Sequence, residues 1–102
     1  MKTIDFHIHT FPDLVAPKAL PRLQKMCGVI PCTDGTVSST LRRMEESGID
    51  MGVSLNIATS PKQQETINTS ASKIEEATSG KLIGFGSVHP SHPDALKELE
   101  RI

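Results

Sequence analysis

Three times along this chain a segment of period two gives way to a segment of helical period, and that alternation is the strongest constraint on what it can fold into. Ile4, Phe6 and Ile8 alternate with Asp5, His7 and His9. Met51, Val53, Leu55 and Ile57 alternate with Gly52, Ser54 and Asn56. Residues 82–89 carry Gly84 and Gly86 on one side. Successive side chains of a strand point to opposite faces, so residues 3–10, 51–58 and 82–89 read as strands.

The intervening segments carry helix signals. Residues 37–47 set Val37, Leu41 and Met44 on one face, with Gly48 placed for a left-handed cap. Ser60, Pro61 and Gln63 form a helix start: serine caps, proline suits the first turn and Gln63 completes a capping box. That helix is expected to run to about residue 79, burying Ile67, Ala71, Ile74 and Ala77, with Gly80 as its stop. Pro93 opens a last helix with Leu96, Leu99 and Ile102 spaced at three. Residues 11–34 are irregular and leave room for one short helix starting at Pro17 or Pro21, because both cannot sit at its first position.

Strand-to-strand spacings of about 30 to 50 residues are the rhythm of right-handed parallel βαβ units. The expected fold is therefore α/β, a parallel βαβαβα segment forming one domain over residues 1–102. The bare face left by Gly84 and Gly86 would allow close approach of another backbone or of a ligand. Three Phe with no Trp or Tyr supply little material for a self-sufficient core. The last helical pattern reaches Arg101 and Ile102 without a residue to close it, so the expectation is a partial domain. Three parallel strands alone expose two edges, for which association between copies is the expected remedy.

Charge narrows the partners. A net charge of -1 and a pI near 6.4, with no basic stripe, give no field for nucleic acid. No apolar run approaches the roughly 20 residues of a membrane helix, and no basic-then-apolar leader opens the chain. No nucleic-acid or membrane partner is expected, and the location is expected to be cytoplasmic. Cys27 and Cys32 lie in a loop-like stretch with no second pair to complete a zinc cage, and are expected to be free thiols.

His7 and His9 are the candidate metal ligands. Two histidines at i and i+2 of a strand lie about 7 Å apart along the backbone and point to one side, so both imidazoles can converge on one ion. They also close the first strand, and parallel α/β folds build their sites at the carboxyl ends of strands. Asp5 sits one pleat below, placed either to orient an imidazole or water, or to serve as a structural carboxylate. Asn56 near the end of the second strand and His89 at the end of the third could contact substrate or metal; the alternative for each is satisfying local backbone. His92 reads as a helix-entry residue, and Arg42, Arg43, Glu45 and Glu46 as a solvated helix face.

The segments IDFHIHT, FPDLVAPKAL, DGTVSSTLRRMEESGID, SLNIATSPKQQ and GFGSVHP together resemble the amidohydrolase-related family over nearly the whole chain. The resemblance implies a (β/α)8 barrel of which this chain carries the first three units, out of a domain that normally takes ~250 residues. It implies that His7 and His9 bind a catalytic divalent metal, zinc foremost, which activates water to attack a C–N or C–O bond of a small-molecule substrate. Family members draw further ligands from later strands, typically a histidine and an aspartate, and no matching region lies within these residues. Two imidazoles also suit other divalent metals, and the family includes decarboxylases beside hydrolases. Two alternatives accompany this reading: a truncated, catalytically inactive chain or small metal-binding module, and a PHP-type phosphoesterase, which also opens with a strand ending in HxHT. The second strand here ends Asn56-Ile57-Ala58-Thr59, where that rival places Asp-His. TatD-like nucleases share the HxH, but the SPKQQ and SVHP segments resemble them less.

Overall fold

The computed structural model describes residues 1–102 as an α/β fold. Strands β1 (Ile4–Ile8), β2 (Met51–Leu55) and β3 (Leu82–Phe85) form one parallel sheet in the order β1-β2-β3. The helices are α1 (Ala16–Cys27), α2 (Val37–Glu46), α3 (Gln64–Ala71), α4 (Ile74–Ala77) and α5 (Ala95–Arg101). No helix is long and apolar enough to cross a membrane.

Each strand is shorter than its alternation suggests, because residues beyond the ladder leave it to join loops. β1 also contains a bulge: Asp5 pairs with Gly52 but Ile8 pairs with Ser54, three steps against two. The sheet's covered side carries Ile8, Gly52, Ser54, Leu82 and Gly84. Met44 of α2 and Ile74 of α4 close on Leu82 there, with Ile8, Val37 and Leu41 around them. A Cβ on Gly84 would meet the Ala71 carbonyl oxygen, and Ile74 Cγ2 at 2.7 Å. The bare face anticipated at this glycine therefore admits a backbone, that of the α3–α4 turn.

The other side of the sheet carries Ile4, Val53, Leu55, Ile83 and Phe85, all apolar. It is left largely uncovered: Val53 is buried, but Phe85 is 55 % exposed and Phe6, at the bulge, 70 %. Parallel sheets are ordinarily covered on both faces, so this side is unusual.

Several helix expectations are corrected. The long helix expected over 60–79 is a 3-10 turn (Pro61–Gln63) followed by α3 and α4, interrupted at Ser72 and Lys73. Serine and threonine in this stretch bond locally to backbone: Ser72 Oγ donates to the Thr69 carbonyl at 2.9 Å and Thr78 Oγ1 to the Ile74 carbonyl at 2.7 Å. The capping box is displaced by one residue, since Gln63 Oε1 accepts from the Thr59 amide (3.1 Å) and hydroxyl (2.7 Å) while Ser60 caps nothing. α1 begins at Ala16 with Pro17 in its first turn and runs on through Pro21. Pro21 forfeits one helical bond, and burial of Ala16 and Ala19 against Phe11 offsets it.

α5 departs furthest from its pattern. Leu96 and Leu99 are exposed, and the buried residue is Glu98. Its carboxylate accepts from Arg101 Nε and Nη2 at 2.7 and 2.6 Å, and from Asn68 Nδ2 at 2.8 Å. Arg101 first, then Asn68, hold the Glu98 carboxyl down at about 2, against an ordinary 4.5. A depressed carboxyl stabilises the fold above its unfolded pKa, and the contribution is lost as pH falls from about 4.5 towards 2. Urea midpoints at pH 6 and pH 3 are therefore expected to fall less in Glu98→Gln than in the wild type; equal falls would count against the network.

Candidate metal centre

His7 and His9 meet at the carboxyl end of β1. Their Nε2 atoms are 3.1 Å apart, and the rings stand edge to face with centroids 4.9 Å apart and planes at 80°. The bulge makes this possible. Asp5 Oδ1 accepts the His7 backbone N–H at 2.9 Å, a local bond of the kind Asp makes in turns, and so holds the kinked strand. Asp5 thus reaches His7 through the backbone and not through the ring.

His9 Nδ1 lies 2.8 Å from the Leu55 carbonyl oxygen. A carbonyl can only accept, so Nδ1 carries the proton and donates it, which leaves His9 Nε2 with a bare lone pair. This bond ties the end of β1 to the end of β2 and sets the ring's tautomer, the arrangement that metal-ligating histidines ordinarily show. Beneath the pair, Thr10 Oγ1 and Ser54 Oγ share a buried hydrogen bond of 2.7 Å.

The donor set fits a divalent ion. Two imidazole nitrogens each about 2 Å from one tetrahedral ion stand about 3.3 Å apart, close to the 3.1 Å found here. Without an ion, the same separation is a hydrogen bond from His7 Nε2–H to the His9 lone pair. Nowhere does the fold bring three His, Cys, Asp or Glu side chains within reach of one ion. The pair could therefore supply two ligands to an ion, and the other coordination positions would fall to water or to other groups.

Asn56 and His89 do not join the pair. Asn56 is buried, and its Nδ2 donates to the Ser54 and Phe85 carbonyls at 3.2 and 3.0 Å, which binds the ends of β2 and β3 together. His89 Nδ1 accepts the Ser91 amide at 3.2 Å, and the His89 amide donates to Gln64 Oε1 at 2.7 Å. His92 does the same for Asp94, at 3.0 Å. The two histidines thus shape local backbone, and Asn56 joins two strands.

A cavity of about 560 Å³ lies between β1, α1 and α2, and His7, His9 and Asp5 form part of its wall. Cys27 and Cys32, both free and exposed, line it too, as does Arg43. The sequence reads the two cysteines as free thiols and Arg43 as part of a solvated helix face, since nothing local relates them to a strand some twenty to forty residues away. No protein-family model, curated protein or solved structure matches the chain.

Proposed function

We propose that this chain carries the metal-binding front end of a metal-dependent hydrolase of the amidohydrolase-related type, with its sheet corresponding to the first three units of a (β/α)8 barrel. The observation that carries the reading is the His7–His9 pair: two Nε2 atoms 3.1 Å apart at a strand end, that of His9 bearing the lone pair of the neutral ring because Nδ1–H donates to the Leu55 carbonyl. The uncovered apolar side of the sheet supports the barrel part. In a closed barrel that side is the interior, filled by branched and aromatic side chains below a ring of ligands at the strand ends.

A divalent ion, zinc foremost, would supply Lewis acidity and a water of lowered pKa for attack on a C–N or C–O bond. This chain's own residues hold and orient. His9 keeps its lone pair directed outward through the Nδ1–H bond to Leu55, and Asp5 holds the backbone kink that brings His7 alongside.

A two-ligand set also favours a second reading, a metal-binding module without turnover, since catalytic zinc sites ordinarily have three protein ligands. Titration of the purified chain with zinc, followed by calorimetry and by metal content after desalting, tests the common part. One equivalent is expected to bind, and His7→Ala or His9→Ala to weaken it at least about tenfold. Unchanged zinc content in both variants would remove the metal centre and both readings with it. Zinc binding without hydrolysis of amide and lactone substrates would leave the module reading.

A further inference from the structure

We propose that the cavity along β1 is a binding pocket for a small carboxylic acid with an apolar body, its carboxylate held by Arg43. This goes beyond the metal reading and does not rest on it.

Size and lining set the body of the ligand. About 560 Å³ falls within the roughly 300–1,000 Å³ of small-molecule sites. The walls are mainly apolar: Leu20 and Leu23 from α1, Met44 from α2, Ile8 from β1. A ligand that displaces water from these walls gains in proportion to its hydrocarbon area.

Charge sets its head. Arg43 is the only lysine or arginine lining the cavity. Its one ion pair, with Glu46, is long at 3.5 Å, and both side chains are more than half exposed. Such a pair holds the guanidinium weakly, and a carboxylate presented from the cavity can take its forked donors with two parallel bonds. The other charged residue in the wall is Asp5, whose carboxylate is fastened to the His7 amide. An acid is attracted to Arg43 and repelled from Asp5, so its carboxylate settles at Arg43.

Cys27 and Cys32 provide the readout, because both are exposed and both line the cavity. In the intact chain with EDTA present, alkylation of each thiol by iodoacetamide is followed by mass spectrometry against increasing 4-phenylbutyrate or its neutral amide. The acid is expected to slow alkylation of both thiols and to act at lower concentration than the amide. In Arg43→Leu, half-protection is expected to need about tenfold more acid, the worth of one charge-assisted contact. Protection by the amide should not change, which also reports that the variant's cavity is intact. Absence of protection, equal protection by acid and amide, or an acid response unaltered by Arg43→Leu would each overturn the proposal. With EDTA present the result is independent of zinc. Protection in a chain that fails the zinc titration would therefore sink the metal centre and keep the pocket, whereas zinc binding without protection would do the reverse.

Discussion

Asn68→Ala is expected to lower the free energy of unfolding by about 3 kcal/mol, a large share of the total for a domain of this size. Asn68 is 2 % exposed and uses its whole amide. Nδ2 donates to the Ser87 carbonyl and to Glu98 Oε1, and Oδ1 accepts the Ser87 amide, each at 2.8 Å. Truncation leaves a backbone N–H, a backbone carbonyl and one carboxylate contact without their partner, at roughly 1 kcal/mol each. Urea denaturation checks this, with the slope unchanged and the midpoint lowered; hydrogen exchange at the Ser87 amide should accelerate in the same variant. A loss below about 1 kcal/mol would mean that water or a neighbour replaces the amide, and that the Asn68 clamp is dispensable.

Gly84→Ala is expected to cost about 2–3 kcal/mol. The added methyl would press on the Ala71 carbonyl oxygen and stand 3.0 Å from its carbon, and backbone held between α3 and α4 cannot swing aside. Gly86→Ala is the informative comparison. Its methyl would meet Ile102 Cδ1 at 2.7 Å and Asn68 Oδ1 at 3.1 Å. The nearest of these is the tip of a flexible side chain at the last residue, so the penalty should be clearly smaller. Equal losses measured by thermal or urea unfolding would show that glycine backbone entropy, and not the helix contact, governs both.

These effects lie on the covered side of the sheet, where the sequence was only partly legible. Gln64 and Asn68 flank the apolar stripe of Ile67 and Ala71, at i and i+4, and that placement was the available signal for buried polar anchors. Glu98 offered no such signal. The spacing of Leu96, Leu99 and Ile102 suggested the reverse face, and only the position of Asn68 and Arg101 reveals why a carboxylate is the residue taken inside.

Local chemistry determined much by itself. Period-two alternation marked three strands, the helical stripes and Gly48 and Gly80 marked where helices end, and the HxH marked the pair that converges. Each depends on bonds and side-chain directions within a few residues, and that information is wholly contained in the chain. Tertiary structure decided the rest. It placed the β1 bulge that separates Asp5 from the imidazoles, the Leu55 carbonyl that sets the His9 tautomer, and the cavity that gathers Arg43, Cys27 and Cys32 beside the histidines. These relations join residues tens of positions apart, and no local periodicity encodes which distant carbonyl, methyl or guanidinium a side chain will meet.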